Sequence, residues 1–247
     1  ILRGSDFAVT EDGMRDTVRQ VMLPLWNSWY FLTLYSNAES LTGKFDTSSE
    51  NVLDRYIFAK LRDLVSDTTN SFDKYDLFAA CAEIRTFLDV LTNWYIRRSR
   101  DRFWSGDITA INTLHSVLHV LTRVAAPVLP LISEEIFRGL TGERSVHLQS
   151  WPTADSLIQD DALVASMDRV RDVCSTTLSL RKIHSRRVRL PLAKLIIATA
   201  DSEGLRKFVE VIADEVNVRS VEFTDDVSSV AAFELQVVPS VVGPRLG

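Results

Sequence analysis

One stretch of the sequence, Asn93–Trp104, combines arginines with aromatic side chains. Guanidinium groups bind phosphates and aromatic rings stack on unpaired bases, so this combination is typical of an RNA-binding surface. On a helix that turns about 100° per residue, Arg98 and Arg102 fall on the apolar face, whereas Arg97 and Arg100 lie away from it. The candidate RNA-binding residues are Trp94, Tyr95, Arg97, Arg98, Arg100, Arg102 and Trp104.

The same arginines have a structural interpretation. A guanidinium cannot be buried without a partner, so Arg98 and Arg102 either extend past the core or pair with acids inside it. Glu134 and Glu135 are examples of acids that could accept them. In that alternative the chain is a structural or protein-interaction bundle, and burial of the guanidiniums against carboxylates would favour it.

A second basic stretch runs from Leu180 to Lys194 and contains six cations and no acid. Binding a polyanion would relieve their mutual repulsion and release counterions, and phosphate binding requires a local positive surface rather than a positive total, which here is −5. The alternative is a connector that is neutralised by the following acidic stretch, Ala200–Glu234, which has nine acids and three basic residues. The candidate RNA-binding residues of the basic stretch are Arg181, Lys182, Arg186, Arg187 and Arg189.

The sequence lacks the usual patterns of a catalytic or cofactor site. It contains no glycine-rich phosphate loop and no GxSxG motif. His115 and His119 are four residues apart, but no third metal ligand is near, so we interpret them as polar positions on a helix. Cys81 and Cys174 lie on apolar stripes and are expected to be small core residues. We therefore expect no catalytic residue, no metal and no cofactor in these residues.

Length and composition exclude several classes of protein. The 247 residues are 46% hydrophobic and 25% charged, which excludes a disordered or collagen-like chain. Two cysteines cannot form a disulfide framework. No apolar run approaches the roughly 18 residues that a membrane helix needs. The chain opens with charged residues, without Met or a secretory signal, so we expect a fragment of a larger cytoplasmic protein that does not bind membranes.

Helical periodicity dominates the first two thirds of the chain. It predicts four or five helices with short connections, which form an antiparallel bundle. We expect Pro24 to kink the first helix, Gly106 to end the third and Ser133 to cap the fifth.

The pattern changes after Trp151-Pro152. One more helix leads into the basic stretch, and Leu195–Ala198 is predicted to be a buried strand. A helical stripe and two alternating strands follow, and the strand residues are Val221, Phe223, Phe233, Leu235 and Val237. The predicted fold is mainly α: a helix bundle over 1–152, followed by a helix and a small α/β subdomain over 153–247.

The arginine-aromatic stretch Asn93–Trp104 closely resembles a signature of isoleucyl-tRNA synthetases, in the branch shared by actinobacteria, Thermus-like bacteria and the eukaryotic cytosol. Other stretches resemble the same family in the same order, and Val188–Leu192 with Glu215–Val221 resemble its C-terminal junction. The remaining ones are Ile1–Asp6, Leu23–Asn27 and Asn51–Tyr56, together with Ala126–Ile136 and Val146–Pro152, which resemble a class Ia pattern shared with the valyl and leucyl enzymes.

The resemblance implies a class Ia anticodon-binding bundle with a small α/β appendage. Such enzymes use ATP and Mg²⁺ to activate isoleucine and transfer it to tRNA, in a catalytic domain that carries HIGH and KMSKS motifs. Neither motif occurs in these 247 residues, and the family's zinc-binding cysteines have no counterpart. The resemblance therefore implies that these residues are inactive alone and position tRNA-Ile beside the enzyme's own catalytic domain. The same domain of a valyl or leucyl enzyme is a further alternative.

Overall fold

The computed structural model describes residues 9–226. By its internal contacts the chain divides into two compact units, Ile1–Val164 and Ala165–Gly247. The sequence-based boundary after residue 152 stays a prediction. Among the helices of residues 9–226, none is both long and apolar enough to span a membrane.

The first unit is a bundle of α-helices, as the sequence predicts. The α-helices are α1 (Glu11–Thr17), α2 (Leu23–Ala38), α3 (Val52–Asp73), α4 (Leu77–Asp89), α5 (Arg100–Trp104), α6 (Ile108–Ala125) and α7 (Pro130–Thr141). Two π-helical segments, Val18–Met22 and Val90–Ile96, and two short 3₁₀ turns, Val146–Leu148 and Ala154–Ser156, complete it. α3 packs on α4 and α6, and α6 packs on α2 and α7. Large side chains such as Tyr56, Phe58 and Phe137 fill the core.

The kink at Pro24 stays a prediction; Pro24 is the second residue of α2, which begins directly after the π segment Val18–Met22. Two other local features differ from the sequence predictions. The third predicted helix is interrupted at Ser99, where the backbone leaves helical geometry before α5. The prediction that Ser133 caps α7 is wrong: the helix begins at Pro130, which needs no backbone donor there, and Ser133 is buried inside it.

The second unit contains most of α8 (Asp161–Ile183), then β1 (Leu192–Ala198), α9 (Glu203–Arg206), α10 (Val209–Val216) and β2 (Val218–Thr224). β1 and β2 are parallel, with Leu192 opposite Val218 and Ala198 opposite Thr224. α9 and α10 form the crossover that a parallel pair requires. The predicted buried strand is only partly buried, since Ile197 is buried but Ile196 is 45% exposed. Phe233, Leu235 and Val237 lie outside the described residues.

Candidate nucleic-acid interface

A buried carboxylate anchors the arginine-aromatic helix end in the first unit. Asp54 lies in the first turn of α3 and is fully buried. Its Oδ1 accepts hydrogen bonds from Arg102 Nη1 at 2.7 Å and the Tyr95 hydroxyl at 2.9 Å. Its Oδ2 accepts from Arg102 Nη2 at 2.9 Å and the Ser49 hydroxyl at 2.7 Å. Four donors therefore satisfy this carboxylate, two of them from one guanidinium in fork geometry.

A second carboxylate completes the ion-pair cluster. Asp107 accepts from Arg102 Nε at 2.8 Å and also caps α6 through the backbone N–H of Thr109 at 2.8 Å. Burial alone would raise the pKa of Asp107, but the hydrogen bond and charge of Arg102 outweigh it and lower the pKa. For the cation Arg102 the direction is opposite: burial alone would lower its pKa, but its bonds to Asp54 and Asp107 outweigh burial and raise the pKa. Burial, and then the Asp54 charge, raise the pKa of Tyr95.

The suggested pairing of Arg102 with Glu134 or Glu135 is wrong. Glu134 accepts instead from the Val146 N–H at 2.8 Å and from a serine hydroxyl, and Glu135 is exposed. Arg102 pairs with Asp54, which is 48 residues away in sequence, because α3 packs against the segment before α5.

The helix end divides its candidate residues into an inner and an outer group. Tyr95 is fully buried, Trp94 is 4% exposed and Arg102 is held in the ion-pair cluster. Trp94 and Tyr95 present no ring face to solvent, and the Arg102 guanidinium is bound to Asp54 and Asp107, so we assign none of the three a contact with RNA. Their role in this structure is to position the helix end.

The outer group faces solvent. Arg97 and Arg100 are exposed, as the helical spacing predicts, and the Trp104 side chain is 73% exposed. Arg97 Nε donates to the Asn93 carbonyl at 2.8 Å. Arg98 is partly buried, and its guanidinium lies 5.5 Å from the centre of the Trp94 ring in a cation–π contact. The helix end thus offers arginines for phosphates and an exposed indole on which a base can stack.

In the second unit, the basic stretch begins where α8 ends. The Arg186 N–H donates to the Arg181 carbonyl at 2.7 Å, and the Ser185 N–H donates to the Lys182 carbonyl at 3.0 Å. This pair of bonds is a Schellman motif. Ser185 adopts the left-handed conformation that the motif requires, with φ of 52°, although glycine is the usual residue there. The chain therefore turns sharply out of the helix before its three loop arginines.

Arg181 is enclosed by this turn. Arg181 is 4% exposed, and its Nη2 donates to the carbonyls of Arg187 at 2.6 Å and Val188 at 3.2 Å, and to that of Leu190. The Val188 carbonyl also accepts from the Asn217 side chain at 2.8 Å. Arg181 thus has no exposed donor and serves to hold the loop.

Four further cations of the basic stretch precede β1 and are exposed: Lys182, Arg186, Arg187 and Arg189. Within residues 9–226, no carboxylate lies within ion-pair distance of these four side chains. Lys194, which follows them on β1, pairs with Glu222 at 2.9 Å. The acidic stretch therefore neutralises Lys194 and leaves the loop cations without a counter-ion in the described part of the chain.

Comparison with known families matches the model described as "Anticodon-binding domain of tRNA ligase" to residues 54–197. The chain belongs to this family. The matched range begins at Asp54, which binds Arg102. It includes both basic surfaces, namely the helix end with Arg97 and Arg100 and the basic stretch Leu180–Lys194.

Among its relatives, the isoleucine–tRNA ligase of Mycobacterium tuberculosis strain H37Rv is 56% identical over 247 residues. That of Nocardia farcinica is 55% identical over 247 residues, and that of Corynebacterium efficiens is 53% identical over 250 residues. Each alignment covers 100% of this chain and 23% of the relative. This chain thus spans about a quarter of the length of those relatives, and the resemblance to isoleucyl-tRNA synthetases is confirmed.

Several positioning residues of the anticodon-binding domain escape sequence reasoning. Asp54, Asp107 and Ser49 build the cluster beneath the helix end, but in the sequence the two aspartates resemble ordinary helix-start residues and Ser49 lies in the polar segment before α3. Arg102 was the one indication in the sequence, because it fell on the apolar face and a buried guanidinium requires an acidic partner. Identifying that acid requires knowing which helices are neighbours.

Within residues 9–226, the two histidines of α6 are not part of a group that could hold a metal ion. The described residues of the anticodon-binding domain contain no group of three or more His, Cys, Asp or Glu side chains that could hold a metal ion. The rings of His115 and His119 are stacked with centroids 6.5 Å apart. Burial, and then the charges of Arg123 and His115, lower the pKa of His119 to about 4, so it is neutral at pH 7.

Proposed function

We propose that this chain is the tRNA-binding part of a cytoplasmic isoleucine–tRNA ligase, and that it holds the anticodon stem-loop of tRNA-Ile. The observation that carries the proposal is the set of solvent-facing loop cations without a counter-ion, on a chain whose net charge is −5. Unpaired surface cations are what a phosphate backbone attracts. The names of the relatives support the choice of isoleucine.

The proposed mechanism is one of positioning. The exposed arginines of the helix end bind phosphates while the Trp104 ring stacks on a loop base. The catalytic domain of the whole enzyme, supplied with ATP and Mg²⁺, activates isoleucine and transfers it to the distant acceptor end. The residues described here take no part in that chemistry and act by fixing where the tRNA lies.

Filter binding across a salt series tests the proposal. Arg100→Gln and Arg97→Gln are each expected to weaken binding of tRNA-Ile and to reduce the log–log salt slope by roughly 0.7 to 0.9, because each guanidinium neutralises about one phosphate. Arg144→Gln is the matched control, since Arg144 is exposed but lies outside both basic surfaces. Unchanged affinity and slope in both test variants would reject the helix end as an interface.

Competition among tRNAs tests the choice of tRNA. Unlabelled tRNA-Ile should displace labelled tRNA-Ile more effectively than tRNA-Val or tRNA-Leu does. A preference for either competitor would favour the corresponding enzyme instead.

A second candidate function, a purely structural bundle, is favoured by Arg102 and Arg181, both of which are bound internally. It does not account for Arg100 or the loop cations, which form no ion pair within residues 9–226. Failure to bind any tRNA, with the fold intact, would favour this candidate.

A further inference from the structure

We infer that Arg181 is a positioning residue that holds the loop 184–191 in a preformed shape, so that the exposed cations in it and beside it bind neighbouring phosphates of an RNA backbone. The inference rests on the proposed function and assigns to Arg181 a role without contact to RNA. Three observations support it: the hydrogen bonds that fix the loop, the burial of the Arg181 guanidinium, and the exposure of the loop arginine side chains.

The loop is fixed at both ends and in the middle. Its start is closed by the Schellman motif of α8, and its end runs into β1, where the Leu192 N–H donates to the Asn217 carbonyl at 3.1 Å. Inside the loop, the Leu190 N–H donates to the Arg187 carbonyl at 3.0 Å. One nitrogen of the Arg181 guanidinium, Nη2, is within hydrogen-bond distance of three loop carbonyls, which share its two hydrogens. A loop with this many internal bonds loses little entropy when it binds, which favours affinity.

The guanidinium is an unusual choice for a purely structural purpose. Arg181 is 4% exposed, its Nε and Nη1 have no hydrogen-bond partner within the described residues, and no carboxylate there pairs with it. A buried cation without a counter-ion is costly, and a neutral donor would serve the carbonyls at lower cost. A buried positive charge beneath exposed ones raises the local positive potential, which is an advantage when the ligand is a polyanion.

The carbonyls and the charged side chains of the loop face different surroundings. The carbonyls of Arg187 and Val188 accept from the buried guanidinium, whereas the side chains of Arg186, Arg187 and Arg189 are exposed. Losing the central guanidinium would release the backbone that sets the spacing of these three arginines. Several phosphate contacts should therefore weaken together.

The test uses Arg181→Lys, which keeps the charge but removes the planar fork, and Arg181→Met, which removes the charge. The first measurement needs no RNA: trypsin cleaves after the exposed cations of the loop, and mass spectrometry gives the rate at each site. In both variants the rate at Arg186, Arg187 and Arg189 should rise by about tenfold or more, because the loop opens locally. Arg144→Lys is the charge-conserving control and should leave these rates unchanged.

The second measurement is the salt dependence of tRNA-Ile binding by the same proteins. Arg187→Gln should lower the log–log slope by roughly one contact, about 0.7 to 0.9, and Arg181→Lys by more than one contact although its charge is conserved. Circular dichroism melts confirm that each variant is folded, and Arg181→Met supplies a second variant if Arg181→Lys rebuilds the bonds.

The outcomes separate the two proposals. Wild-type cleavage rates in both Arg181 variants would overturn the positioning role, whatever the RNA result. Faster cleavage with an unchanged slope would overturn the use of the loop for RNA. If the wild-type protein binds no tRNA at all, the proposed function fails, while the cleavage rates still decide whether Arg181 holds the loop.

Discussion

Replacing Asp54 with asparagine perturbs the ion-pair cluster with almost no change of shape. The carboxylate accepts both Nη groups of Arg102 and two hydroxyls. In Asp54→Asn, one of the two oxygens becomes an NH₂ group and faces a guanidinium N–H, so two donors meet. The hydroxyls of Tyr95 and Ser49 can rotate to accept, but Arg102 cannot.

The expected cost follows from burial. Asp54 is 0% exposed and Arg102 is 21% exposed, so neither group can regain full hydration when the pair is broken. Breaking a buried pair by removing one partner costs about 3 to 5 kcal/mol. The contact of Arg102 with Asp107 remains, which favours the lower end of that range, about 3 kcal/mol.

Urea denaturation, followed by circular dichroism, measures the free energy of unfolding. For a slope of about 2 kcal/mol per molar urea, the midpoint should fall by roughly 1.5 M. Asp101→Asn is the matched control, because Asp101 is exposed and next to Arg102 in sequence, and its effect should stay within about 0.5 kcal/mol. A double-mutant cycle with Arg102→Gln should give a coupling of about 2 to 3 kcal/mol. A loss below about 1 kcal/mol in Asp54→Asn, or one equal to that in Asp101→Asn, would refute the reasoning.

Two further predictions concern the bundle core. The pKa of His119 falls from 6.5 to about 4 on folding, so between these values the unfolded chain binds a proton that the folded chain does not. The free energy of unfolding is therefore highest above pH 6.5 and decreases as the pH falls toward 4. His119→Gln should therefore flatten the stability–pH profile in that window, by about 1 to 2 kcal/mol after solvent screening, whereas His147→Gln, at an exposed position, should keep the wild-type profile. Gly139→Ala should destabilise the bundle by about 1 to 3 kcal/mol, because the new Cβ would lie 2.4 Å from Trp29 Cζ2. Thermal melts should show Trp29→Phe recovering part of that loss, and a stabilising Gly139→Ala would contradict the packing.

Apolar periodicity predicted the bundle well because most of its helices bury one face. The stripe of α3, with Leu61 and Leu64, is buried as expected. Caps were less predictable, because the same residue types occur at helix starts and inside helices. Ser133 follows Pro130 closely enough that either could begin α7, and the proline does.

The candidate site was predictable in its residue types but not in its division into inner and outer groups. The helical wheel placed Arg100 outward and Arg102 inward, and both placements are confirmed. It could not supply Asp54, because that contact depends on which helices pack together. Nor could it show the end of α8, because Ser185 takes the left-handed position that glycine usually marks.

The π-helical segment Val90–Ile96 gives the helix end a particular sensitivity to chain length. A π turn is equivalent to one residue inserted into an α-helix, and one residue corresponds to about 100° of rotation. A one-residue deletion that restored α-helical geometry there would swing the following arginines around the axis by that angle. Arg102 would leave Asp54 and Arg100 would lose its outward direction. A substitution in this segment is therefore expected to disturb the helix end less than a deletion does, because the number of residues determines the direction in which the following arginines point.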